Sequence, residues 1–217
     1  MTKKNCFLIT TPEYDDTVAY CSAWSREVIE FANSKGLAVI EMNRGQATKK
    51  ELEKRIAKHE PGFVMFNGHG DKESVWGNNN EVLVKSGENE GLLKERIVYA
   101  LTCSSLQTLG ETSTRNGALA YIGYKFPYVF YFNRNFCSTP LKDDTAKSFF
   151  EPSNRISTSI IKGAEVNEAV KRSQEKIDQE ISYWRSQETP DAEWVRSALL
   201  MNRVSLGFKG NGSASLS

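Results

Sequence analysis

Histidine is scarce in this sequence: 217 residues carry only two, His59 and His69. Cysteine is nearly as sparse, with Cys6, Cys21, Cys103 and Cys137 far apart and no CxxC pair. Two histidines and scattered thiols do not make the ligand spacing of a zinc site. Nor do they make the dense disulfide framework of a small secreted domain. Free thiols suit a reducing compartment, so a cytoplasmic location is expected. No apolar run approaches the roughly 20 residues needed to span a bilayer. The opening stretch MTKKNCFLITTPEYDD lacks a small-residue cleavage site and reads as a first strand rather than a signal peptide. Charge of one sign is missing too. A formal net charge of +1 leaves no basic footprint for nucleic acid. Internal repeats are absent. TTPEYDD, after the first strand, has no glycine-rich phosphate cradle, which counts against a flavodoxin-like nucleotide binder.

What is present is a globular composition, 39% hydrophobic and 25% charged. The length suits one domain, expected over residues 1–210, with the polar end of KGNGSASLS, residues 211–217, as a flexible tail. NCFLITT (5–11) reads as a buried strand. Residues 15–35 carry a wide apolar helical face that stops at Gly36. LAVIEMN (37–43) is a second strand, and residues 48–60 are a helix opened by Thr48 and Glu51 at capping-box spacing. GFVMFNG (62–68) is a third strand. Residues 73–84 read as a hairpin turning through Gly77 to Asn80, followed by a short helical piece near 90–95. Strands four and five are expected at 96–105 and 117–126, helices at about 143–161 and 163–187, and a last helix from PDAEWVRSALL runs into a possible sixth strand, 203–208.

Strand–helix alternation with nearly continuous apolar strands predicts a mostly parallel sheet covered by helices on both faces, a three-layer α/β/α sandwich. Function in such sheets gathers beyond the carboxyl ends of the strands. Two motifs lie there. FVMFNGHGD places His69 between two glycines after the third strand, and VYALTCSS places Cys103 after the fourth. A histidine beside a cysteine is what thiol nucleophilic chemistry requires. For each residue a packing reading also exists: a loop histidine, and a small buried thiol at a strand end.

Together VMFNGHGD and VYALTCSS resemble the caspase-fold cysteine peptidases of clan CD, most of all the CHAT and clostripain-like bacterial members. GALAYIGYKFP resembles the strand after the nucleophile, and LLMNRVSLGFKGN the closing strand. The resemblance implies a caspase-like six-stranded sheet and peptide-bond hydrolysis through a thioester, with Cys103 as nucleophile and His69 as acid–base group. It implies an oxyanion hole from the Gly70 and Cys103 amides, and no cofactor. A protein or peptide substrate follows, with a regulatory partner and a bacterial defence or cell-death role among the options, such as processing a gasdermin-like partner. The alternative is a catalytically silent binding module on the same fold.

The sequence departs from the family pattern. Glu and Gly are missing after the cysteine, and Leu101 stands where basic-specific members carry Asp. Asp71 is a candidate to orient His69 or to meet substrate, or else a plain loop carboxylate. Tyr124, Lys125 and Phe126, ending the fifth strand, are candidates to line the substrate groove. The run FPYVFYF that they open is equally readable as core. Residues 132–155 are read as a surface connection or as a loop that gates the site. His59 is expected at a solvated helix end, and Trp24, Trp76, Trp184 and Trp194 in packing roles.

Overall fold

In a computed structural model that describes residues 6–216, six strands form one sheet in the order β2-β1-β3-β6-β7-β8. These are β1 (Cys6–Thr11), β2 (Ala38–Asn43), β3 (Phe63–Asn67), β6 (Ile97–Leu101), β7 (Ala120–Tyr124) and β8 (Leu206–Gly210). Every neighbouring pair is parallel except β7 and β8. β4 (Ser74–Trp76) and β5 (Val82–Lys85) make a separate antiparallel hairpin. The three-layer, mostly parallel sandwich expected from the alternation is therefore the observed one.

Side-chain alternation explains the unbroken apolar strands. Phe7, Ile9, Phe63, Met65, Ile97, Tyr99 and Ile122 face one core. That core is closed by α1 (Asp16–Trp24), α2 (Arg26–Ser34), α5 (Asp144–Ile161), α6 (Val166–Arg185) and α7 (Ala192–Ser205). Leu8, Val64, Phe66, Val98, Ala100 and Tyr121 face the other, under α3 (Lys49–His59), α4 (Thr108–Arg115) and the β4–β5 hairpin. Thr48 caps α3, its hydroxyl accepting from the Glu51 amide at 3.3 Å.

Three expectations need correcting. Residues 15–35 form two helices, not one. At Ser25 the hydroxyl donates to the Cys21 carbonyl at 2.8 Å, a back-bond to residue i−4 that favours a bend. The stretch expected to be a flexible tail is held down. Val166 and Asn167, opening α6, donate to the Ala214 and Gly212 carbonyls at 3.0 and 2.9 Å, and Ala214 is buried. Trp194 is not a packing residue: it is 64% exposed on α7, while Trp24 and Trp184 are buried.

The chain leaves β1 toward β2 on one side and later leaves β3 toward β6 on the other. Crossovers in these opposite directions cover opposite faces. The carboxyl ends of β1 and β3 therefore flank the switch point of the sheet, where a crevice opens.

Candidate active site

His69 and Cys103 come from adjacent strands. β3 and β6 run in parallel register from Phe63–Ile97 to Asn67–Leu101. His69 and Cys103 each follow the last pair of that register by two residues. Parallel neighbours are about 5 Å apart, so the two candidates follow the carboxyl ends of adjacent strands, at the same end of the sheet.

The glycines around His69 answer to a neighbouring backbone. Past β3 the chain runs along β4: the Trp76 amide donates to the His69 carbonyl, and the Asp71 amide to the Ser74 carbonyl, each at 3.0 Å. A Cβ on Gly68 would stand 2.4 Å from the Trp76 carbonyl oxygen, and one on Gly70 would stand 2.7 Å from that of Ser74. Gly68 also has φ +151°, which side-chain-bearing residues rarely adopt. Both positions need glycine for close approach to the hairpin.

The partner of His69 is a residue that sequence reasoning missed. His69 Nε2 lies 2.8 Å from Asp15 Oδ2. Asp15 sits just past β1 and is the N-cap of α1, where its other oxygen accepts from the Val18 amide at 2.8 Å. A carboxylate only accepts, so Nε2 carries the proton and the lone pair of the neutral ring falls on Nδ1. The available signal was in TTPEYDD: a carboxylate at a helix N-cap directly beyond a strand end.

Asp71 does not orient His69. Its Oδ1 accepts from the Glu73 and Ser74 amides at 2.8 Å each and from the Ser74 hydroxyl at 2.9 Å, closing the turn into β4.

Cys103 is partly exposed. Burial pushes its thiol above the ordinary range, partly offset by a hydrogen bond from the Tyr128 backbone. The next residue, Ser104, has φ +56°, a left-handed turn that is uncommon for serine. The turn is tied to the end of β7, with the Ser104 amide donating to the Phe126 carbonyl and the Leu106 amide to that of Tyr124, each at 3.2 Å. Among the described residues, neither the Gly70 nor the Cys103 amide donates to a backbone carbonyl.

Residues 125–133 form an irregular strap over this end of the sheet. The Phe126 amide donates to the Ser205 hydroxyl at 2.8 Å, and Asn202 both accepts from the Val129 amide at 3.0 Å and donates to its carbonyl at 2.6 Å. Tyr124 is 1% exposed, its hydroxyl 3.3 Å from that of Tyr99. It belongs to the core and cannot line an open groove. Lys125 and Phe126 are exposed beside the Cys103 turn. Tyr128, Phe130 and Phe132 pack inward: Phe130 meets Phe150 at 4.8 Å and Phe132 meets Tyr20 at 4.5 Å between ring centroids. Further on, buried Asp143 accepts from the Asn133 amide at 2.7 Å and caps α5. It pins the middle of the 132–155 segment.

His59, the last residue of α3, is exposed, Cys21 is buried and Cys137 exposed. Among the described residues there is no group of three His, Cys, Asp or Glu side chains that could hold a metal, and no helix long and apolar enough to cross a membrane.

No protein-family model matches this sequence, and no curated protein matches it. Solved structures do match. The complex of Porphyromonas gingivalis RgpB pro- and mature domains aligns with TM-score 0.63 and 9% identity over 97% of this chain. The Arg-specific cysteine proteinase gingipain R aligns with TM-score 0.63 and 10% identity over 98%. In both cases the chain spans about half the length of the protein it matches, 48%. At this identity the likeness is one of fold: the chain has the caspase-like α/β/α fold of the gingipains.

Proposed function

We propose that the chain is a cysteine peptidase in which Cys103 is the nucleophile, His69 the acid–base group and Asp15 the carboxylate that orients His69. The observation that carries this reading is the Asp15–His69 pair, with His69 and Cys103 each two residues past the last rung of the β3–β6 ladder. The caspase-like fold shared with cysteine proteinases supports it.

The chemistry follows from the tautomer. With Nε2–H held by Asp15, Nδ1 is the atom free to take the Cys103 proton. The sulfur attacks the substrate carbonyl carbon as the C=O π pair moves onto oxygen, where the Gly70 and Cys103 amides stabilise the charge. His69 then gives its proton to the leaving amine as the C–N bond breaks, leaving a thioester. Water, deprotonated by His69, attacks that thioester, and the thiol leaves with the proton restored. The resting sulfur is a thiol, consistent with its partly buried setting, so base assistance is required for attack.

The exposed strap residues Lys125 and Phe126, beside the Cys103 turn, are the proposed contacts for the substrate. Buried, uncharged Leu101, two residues before the nucleophile, gives no reason to assign a basic P1 preference. The test is a positional peptide library, read with the wild type and with Cys103→Ala, alongside labelling by a thiol-directed acyl probe. Hydrolysis and labelling of the wild type alone support the reading. Labelling centred on Cys6, Cys21 or Cys137 overturns it.

A further inference from the structure

β1 and β2 are paired over six residues, from Cys6–Ala38 to Thr11–Asn43, and β3 and β6 over five. Between them, β1 and β3 are paired over three only, ending at Ile9–Met65. The β6–β7 ladder is as short, but only between β1 and β3 do the following connections part to opposite faces. Yet Asp15 follows one of these ends and His69 the other, and their side chains meet at 2.8 Å. Something must fix the gap.

A side-chain clamp occupies the place of the missing rungs. Thr10 Oγ1 accepts from the Asn67 amide at 2.9 Å and donates to the Asn67 carbonyl at 3.1 Å. Asn67 Nδ2 donates to the Thr10 carbonyl at 2.8 Å. Both residues are 0% exposed, so these bonds face no competition from water. Thr10 is five residues before Asp15, and Asn67 two before His69.

We infer that Thr10 and Asn67 are positioning residues, a polar clamp across the sheet's switch point that holds the β1 and β3 ends at the separation the Asp15–His69 pair requires. The clamp acts through the pair and touches no substrate. An unbroken ladder would close the crevice, while unpaired ends would let the carboxylate drift from the ring. A hydrogen-bonded pair of short polar side chains meets both demands.

The inference rests on the peptidase reading for its consequence but not for its test. The primary readout is the solvent-exchange rate of the His69 Nε2 proton, observed by NMR in ¹⁵N-histidine-labelled protein, with Asp15→Asn marking the rate of a lost carboxylate. Thr10→Val keeps the shape and β-branching but removes the hydroxyl, and exchange is expected to quicken about tenfold, the scale of displacing a positioned group by a fraction of an ångström. Thr10→Ser, which restores the hydroxyl, should recover most of that loss. If the wild type cleaves peptides, Thr10→Val should lower kcat by a similar factor with KM little changed. Asn67→Ala, which removes only the Nδ2 bond, repeats the test should Thr10→Val fail to fold. A purely structural clamp would lower the urea midpoint of these variants and leave the Nε2 proton unmoved, which would overturn the inference. A wild type without peptidase activity would sink the proposed function, while the exchange rates would still decide the clamp.

Discussion

Asp15 holds His69 Nε2 with one carboxylate oxygen and the first turn of α1 with the other, at 2.8 Å in each case. One side chain thus joins the start of a helix to the candidate acid–base group. The two roles can be separated, because asparagine caps helices about as well as aspartate but carries no charge to balance a protonated ring. Asp15→Asn is expected to lower kcat by about 100-fold, the lower end of acid–base contributions, and to leave stability within about 0.5 kcal/mol. Asp15→Ala loses the cap as well and should cost about 1 kcal/mol more. Steady-state kinetics and urea unfolding on the pair of variants check this.

His69→Ala should reduce turnover by about 100-fold or more. His59→Ala, at the exposed end of α3, should leave turnover unchanged. The reverse pattern would mean that the Gly-His-Gly motif has been misread.

The Cys103 thiol is raised by burial. A raised value keeps the sulfur protonated at neutral pH, and thiolate accumulates only as the solution becomes more alkaline. The rate of alkylation by iodoacetamide should therefore climb by about tenfold per pH unit between pH 6 and 8, because only the thiolate reacts. A plateau already reached in the acid range would show a preformed thiolate–imidazolium pair instead.

Gly70→Ala should destabilise the fold by about 2 kcal/mol, because its Cβ would meet a backbone oxygen at 2.7 Å and the Thr102 Cβ at 3.1 Å. Gly91→Ala is the control, having no atom within 4 Å of its Cβ. It should stay within about 0.5 kcal/mol of wild type. Urea midpoints for the two variants decide the matter.

Asn202→Ala removes both bonds between α7 and Val129. Hydrogen–deuterium exchange at the strap amides, Tyr128 and Val129 included, should accelerate about tenfold. Stability should fall by about 1–3 kcal/mol, the cost of leaving partly buried partners unsatisfied.

The sheet was legible because each strand is an apolar run with turn chemistry at its end, and both glycine-flanked His69 and Cys103 stand at such ends. The break at Ser25 was not, since a serine back-bond carries no signal in an apolar periodicity that continues through it. Asp15 was overlooked for a related reason. TTPEYDD was weighed only for the glycines of a phosphate cradle, and the partner of its carboxylate lies 54 residues away. Tyr124 was misplaced because a strand-end aromatic suits a groove and a core equally well. Only the packing around Tyr99 and Tyr128 puts it inside.

The strap of residues 125–133 is fastened by Asn202 and Ser205. A ribosome makes the nucleophile about a hundred residues before it makes these fasteners. His69, Cys103 and Asp15 can all emerge while the cover beside the sulfur still lacks its bonds to Asn202 and Ser205. Completion of the site is thus left to one of the last helices to be synthesised, and a chain interrupted before residue 202 would carry every chemical group of the site with the strap held only at its far end, by Tyr20, Phe150 and Asp143.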